Sequence, residues 1–234
     1  MTTSGVPFRK GHGTGNEFIL VSGLDGYFAD PKSVTPTIAQ NICDRDHGLG
    51  ADGILRVARA SDFDVDDAQY FMDYTNADGS ISATCGNGLR VFARYLVEAG
   101  LENRGQFTIG TRAGTVTVAI SETDTDFTNI AITMGHVSLG PMNVTVETET
   151  GSWPAVGIAG MNNHAVSVVD DIANAGITTL GPAKHLDAHD GLGASVIRDI
   201  QSRLHLNHVC PQLFPHHPHP RPSQASFQRS VLGP

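Results

Sequence analysis

The chain has 234 residues, 40% of them hydrophobic and only 6% aromatic, with a formal net charge of −9. That length holds one large domain or two small lobes with material for a core, and the negative balance argues against a nucleic-acid or anionic-membrane surface. Only three lysines are present, Lys10, Lys32 and Lys184, none in a setting that suggests a pyridoxal-phosphate Schiff base, so a mechanism with no cofactor is the better reading.

In chain order, Val6–Lys10 and Phe18–Val21 read as strands around the loop Gly11-His-Gly-Thr-Gly-Asn16. The glycines superficially match a dinucleotide-binding fingerprint. That fingerprint needs a helix after the glycines, and here a strand follows. A tight turn with glycines at positive φ is the plainer reading. Thr35–Cys43 reads as a short helix with Pro36 in its first turn. Cys43 shares a face with Ile38, Ala39 and Ile42, which makes it core. The loop Gly48–Gly53 then leads into a strand from Ile54. It either touches a substrate or simply turns before a buried strand. Gln69–Tyr74 is the next strand.

The segment from Tyr74 to Leu96 organises the rest. Asn76-Ala-Asp-Gly79 is a turn of the kind these residues make easily. Leu89, Phe92, Ala93 and Leu96 recur at helical spacing, so a helix begins near Gly86 with Cys85 as its cap. A thiolate at a helix N-terminus is stabilised by unpaired N–H groups and the positive dipole end, which lowers its pKa from about 8.5. Gly86, Asn87 and Gly88 leave those N–H groups uncovered for a carboxylate. A lone cysteine before a helix is more often a small buried hydrophobe; the flanking glycines and asparagines tilt the balance toward chemistry.

Downstream, Phe107–Ile109, the turn Gly110–Gly114, the alternating Thr115–Ile120 and Asn129–Met134 suggest half-exposed strands. One helix enclosed by strands, with little βαβ alternation, favours an α+β fold in which a strongly curved sheet wraps a helix. A second lobe is expected from near Gly140, with strands at Asn143–Thr148, Ala155–Ile158 and His164–Val169 and a short helix from Asp170.

Several of these stretches together carry a resemblance. They are His12-Gly-Thr-Gly-Asn-Glu-Phe, Asp46-His-Gly-Leu-Gly-Ala-Asp-Gly, Asn76-Ala-Asp-Gly-Ser, Cys85-Gly-Asn-Gly-Leu-Arg-Val-Phe-Ala-Arg-Tyr, Gly110-Thr-Arg-Ala-Gly and Asn162-Asn-His-Ala-Val. In this order, across roughly residues 5 to 185, they resemble the diaminopimelate epimerase family. The resemblance implies two lobes, each a curled, mostly antiparallel sheet around a central helix, with the active site in the cleft between them. It implies interconversion of LL- and meso-2,6-diaminopimelate without a cofactor, with Cys85 as one of two acid–base thiols. By the same resemblance Asn16, Asn76 and Asn162 hold the substrate's amino and carboxylate groups, and the N–H groups of Gly86 and Asn87 bind its α-carboxylate. Where the family usually reads Gly-Asn-Pro-His, this chain has Met161-Asn-Asn-His164, so Asn162 and His164 align and the proline does not. A small-molecule partner follows, and a homodimer stays open.

After about Ala188 the family pattern stops. The second cysteine loop, of Ala-Cys-Gly-Thr-Gly type, and the Glu-Arg-Gly segment before it do not occur in these residues. Cys210 is followed by Pro211 and lacks the N–H donors that flank Cys85. Residues 191–234 hold four arginines and one acid, with six of the twelve prolines and five of the eleven histidines beyond residue 200. The expected organisation is therefore an N-terminal lobe at 1–138, a partial second lobe at 139–188 and a disordered Pro/His-rich tail at 189–234. The tail resembles truncated or out-of-frame coding sequence, and a chain so altered is expected to be an impaired catalyst. His205, His208, Cys210, His216, His217 and His219 are metal-ligand types whose spacing matches no closed zinc template. An odd cysteine count, no leader at Met1-Thr-Thr-Ser and no apolar run of membrane length fit a reducing cytoplasm. Three alternatives stay open: another isomerase of the same fold, such as a proline-racemase-like enzyme, a binding module without turnover, and a His-rich metal-binding protein.

Overall fold

In a computed structural model of the chain, residues 6–148, 151–161, 163–167 and 225–232 are described. Twelve strands and two α-helices lie among them. The chain divides into two units, Met1–Met134 with Arg221–Pro234, and Gly135–Pro220.

The first unit starts with a hairpin of β1 (Val6–Gly13) and β2 (Asn16–Ser22). Thr14 and Gly15 form its two-residue turn, both at positive φ (52° and 83°), and Gly13 pairs with Asn16. Positive φ at both central residues gives a turn whose twist matches that of the strands. β3 (Gly53–Arg59), β4 (Tyr70–Asn76), β5 (Gly105–Thr111), β6 (Gly114–Ile120) and β7 (Ile130–Thr133) follow, with α1 (Pro36–Cys43) and α2 (Gly86–Glu98) between them. The sheet order is β12-β1-β2-β3-β4-β5-β6-β7, where β12 spans Ala225–Leu232. The sequence reading assigned no element to residues 189–234; the described part of that stretch is this edge strand, antiparallel to β1.

Most pairs are antiparallel, but β2–β3 and β4–β5 are parallel. α1 and α2 supply the respective crossovers, since parallel neighbours cannot be joined by a tight turn. More βαβ character is present than the sequence pattern suggested. The curl itself is as read. α2 touches β1, β2, β3, β7 and β12, and β1 and β7 stand near opposite ends of the sheet. A flat sheet could not bring both to one helix.

Because side chains alternate along a strand, β2 and β3 serve both faces. Ile19, Val21 and Ile54 pack with Ala39, Cys43, Phe8 and Phe28 on the α1 side. Phe18 and Leu55 lie against Gly88 of α2 on the other. Leu89, Val91, Phe92, Ala93 and Leu96 of α2 are fully buried. Just past the helix, Gly100 at φ 70° allows the Leu101 N–H to reach the Leu96 carbonyl (2.9 Å) and the Gly100 N–H the Val97 carbonyl (3.1 Å). These two bonds satisfy the last-turn acceptors.

One charged cluster is buried in this core. Arg56 is only 1% exposed and pairs across the strands with Asp73, its Nε 2.7 Å from Oδ2. Arg112 donates to the other Asp73 oxygen, and the Arg56 guanidinium also reaches the Phe28 carbonyl.

The second unit contains β8 (Ser138–Leu139), β9 (Val144–Thr148), β10 (Gly151–Ala159) and β11 (His164–Val166). β10 pairs antiparallel with the other three, and Val146, Ala155 and Ala165 form a small core. β8 is too short to carry a sequence pattern and was not foreseen. The helix expected from Asp170, and the histidines and Cys210 of the tail, lie outside the described residues.

Removing one partner of the buried cluster strands the others. Asp73→Ala is expected to cost roughly 3–5 kcal/mol of unfolding free energy, read as a drop in the urea midpoint. The exposed pair Arg94–Glu98 is expected to contribute under about 1 kcal/mol by the same measurement.

Candidate active site

The site is assembled where three chain segments meet at the start of α2. Cys85 caps that helix in extended backbone (φ −152°, ψ 117°), and its sulfur accepts from the Gly88 N–H at 3.5 Å. The Asn87 N–H also bears on the sulfur. Thus the N–H groups read as an anion cradle are in part turned onto the thiol in this state.

The β1–β2 turn supplies the second segment. The Thr14 hydroxyl donates to Asn87 Oδ1 at 2.8 Å, and the Arg90 guanidinium donates to the same oxygen. A Cβ on Gly13 would lie 2.9 Å from the Asn87 carbonyl, so the strand can run this close to the helix only as glycine. Asn16 follows the turn, and Cys85 Sγ lies 3.8 Å from its Oδ1.

The third segment precedes β3. Asp52 Oδ2 accepts from Asn16 Nδ2 (2.6 Å) and from the Glu17 N–H (2.8 Å), while Oδ1 accepts from Arg45 (2.9 Å). The Ala77 N–H donates to the Asp52 carbonyl at 3.0 Å, which ties in the turn after β4. In that turn Asn76 donates to Ser80 Oγ (2.9 Å), and Asp78 caps Ser80. Asn76 stands in register with Gly53, where a Cβ would meet the Thr75 carbonyl at 2.6 Å.

The thiol departs from the sequence expectation. Cys85 keeps part of its surface exposed, yet the dense protein around the sulfur makes its thiolate costly. Desolvation pushes its pKa up; the Gly88 and Asn87 N–H groups and the Arg90 charge pull the other way, and Asp52 adds to the rise. Helix-mouth stabilisation is present but loses to burial. Cys43, wholly within the core, is pushed up to about 12, mainly by burial. Tyr74, edge-on to Phe18 at 5.7 Å, is also raised by desolvation and by nearby Cys85 and Asp52.

Of the residues singled out from the sequence, Cys85, Gly86, Asn87 and Asn16 come together, with Asn76 linked through Ala77 and Asp52. Asn162 lies outside the described residues. Asp52, Arg90 and Thr14 were missed as partners, although all three fall inside the quoted motifs. A carboxylate and a guanidinium in Gly-rich segments around a cysteine were the available signal. Among the described residues, no group of His, Cys, Asp and Glu is arranged to hold a metal, and no helix is long and apolar enough to cross a membrane.

The fold is one shared with solved isomerase structures. A hydroxyproline epimerase from Agrobacterium vitis aligns with a TM-score of 0.54 at 16% identity, over 76% of this chain and 54% of that one. A probable proline racemase from Agrobacterium radiobacter K84 aligns at 0.53 and 18%, over 74% and 54%. The diaminopimelate epimerase family model matches residues 8–140. The diaminopimelate epimerase of Mycolicibacterium gilvum is 40% identical over 190 residues, 76% of this chain and 64% of the relative. That of Streptomyces coelicolor is 36% identical over 216 residues, 86% of this chain and 71% of the relative. The chain belongs to the diaminopimelate epimerase family.

Two outcomes follow. With site-resolved mass spectrometry, iodoacetamide is expected to label Cys85 increasingly as pH rises through its raised pKa, since only the thiolate reacts. Cys43 is expected to stay unlabelled until the chain unfolds. Gly13→Ala is expected to push on the first turn of α2 and slow Cys85 labelling or shift its pH midpoint, without changing the labelling of Cys43.

Proposed function

We propose that this chain is a cofactor-independent amino-acid epimerase that interconverts LL- and meso-2,6-diaminopimelate, with Cys85 as one of two acid–base groups. The observation that carries this reading is the sulfur at the mouth of α2, 3.5 Å from the Gly88 N–H and 3.8 Å from Asn16 Oδ1. An amino acid's α-hydrogen is a weak acid, and its removal places negative charge on the α-carbon and its carboxylate. Donors aimed at that carboxylate lower the barrier most. The first N–H groups of α2, those of Gly86 and Asn87, would receive it, and Asn16, Asn76 and Asn162 would hold the remaining amino and carboxylate groups. A thiol whose pKa is raised is mostly protonated at neutral pH and able to deliver a proton. Its minor thiolate is correspondingly the stronger base.

Inversion needs a second group on the opposite side of the carbon. A second cysteine in an Ala-Cys-Gly-Thr-Gly-type loop does not occur in these 234 residues. These residues by themselves are therefore proposed to carry out half of the reaction. The Cys85 thiolate takes the α-hydrogen, the thiol exchanges with solvent, and deuterium returns to the same face.

Incubation with LL-diaminopimelate in D₂O is expected to give slow α-deuteration with retained configuration, read by mass spectrometry and chiral chromatography. Cys85→Ala is expected to abolish it. Epimerisation at an ordinary enzymatic rate by this chain would overturn the impaired-catalyst reading. Binding seen by calorimetry with no deuteration in the wild-type chain would favour a binding module over an enzyme.

A further inference from the structure

We propose that Asp52 is a positioning residue that fixes which end of the Asn16 amide faces the Cys85 sulfur. The proposal rests on the reading that Cys85 is the working thiol. An ionised carboxylate only accepts hydrogen bonds, so the NH₂ end of the Asn16 amide must turn toward it, and does, at 2.6 Å. The carbonyl end is thereby committed to the thiol, 3.8 Å away. The sulfur thus meets an acceptor from Asn16 and donors from the Gly88 and Asn87 N–H groups. Released from Asp52, the amide could rotate and offer its N–H to the sulfur, favouring the thiolate.

Asp52 is itself fixed. The Glu17 N–H donates to Oδ2, Arg45 donates to Oδ1, and Arg45 also bonds Glu17, which is paired with Lys10. Its own N–H and carbonyl are tied to the Glu17 carbonyl and the Ala77 N–H. These backbone bonds survive any side-chain replacement. The groups that bear on the Cys85 sulfur are Arg90, Asp52 and Tyr74, so removing Asp52 changes both a charge and an amide orientation. The test must separate the two.

Cys85 alkylation by iodoacetamide is followed against pH, by site-resolved mass spectrometry, for Asp52→Ala in the wild-type and in the Asn16→Ala background. Charge loss acts in both backgrounds; amide rotation acts only where Asn16 remains. The midpoint is expected to fall on the order of one pH unit more in the wild-type background. In the wild-type background Asp52→Asn, whose carbonyl oxygen can still accept from Asn16, is expected to bring the midpoint back toward wild type by most of that extra fall. Equal shifts in the two backgrounds would overturn the proposal, as would an Asp52→Asn midpoint no closer to wild type than that of Asp52→Ala. If Asp52→Ala fails to fold by circular dichroism, Asp52→Ser replaces it, since a serine is too short to hold the amide. Alkylation needs no substrate. A background-dependent shift with no α-deuteration would leave the positioning role standing while the epimerase reading fails.

Discussion

The packing of α2 inside the curled sheet is the constraint on which the first unit depends. The helix buries Leu89, Val91, Phe92, Ala93 and Leu96 against strands drawn from both flanks of the sheet. Fully burying a Leu, Val or Phe side chain contributes about 1.5–3 kcal/mol, so this interface is a large part of what holds helix and sheet together. What that packing fixes, beyond stability, is the position of the helix's first turn. Phe18 and Leu55 close on Gly88 there, and Gly13 runs against Asn87 and Val91 with no room for a side chain. Cys85, as the cap of α2, is held at that packed turn.

At the mouth of this helix sits a cysteine, where Ser, Thr, Asp or Asn would be a better cap. Its bond from the Gly88 N–H spans 3.5 Å, a long reach typical of sulfur. The local structure therefore gives up capping strength to hold a thiol. Burial then works against ionisation of that thiol while the helix N–H groups and Arg90 work for it. With causes opposed in this way, small changes in packing or charge around the sulfur shift its ionisation.

Much of this was legible in the sequence. The turn chemistry of Asn76–Gly79, the helical spacing after Gly86 and the alternation of β6 each depend on neighbours within a few residues. So does the tight turn before Asn16. Short-range physics writes itself into short motifs. The parallel pairing of β2 with β3 and of β4 with β5 was not legible, because both parallel and antiparallel strands show the same apolar runs when buried on both faces. The rise in the Cys85 pKa was missed for a related reason. Helix capping is local, whereas desolvation comes from burial, which only the folded sheet packed around α2 produces. Asp52 was visible as a residue but not as a partner, since its bond to Asn16 crosses 36 positions of chain.

Thr14 holds a left-handed backbone at φ 52°, a conformation that β-branched residues adopt only under duress. Its hydroxyl reaches across to Asn87. Glycine in its place would relax the loop and sever that link at once. Backbone ease and the tie between the β1–β2 turn and the first turn of α2 are therefore opposed at this single position.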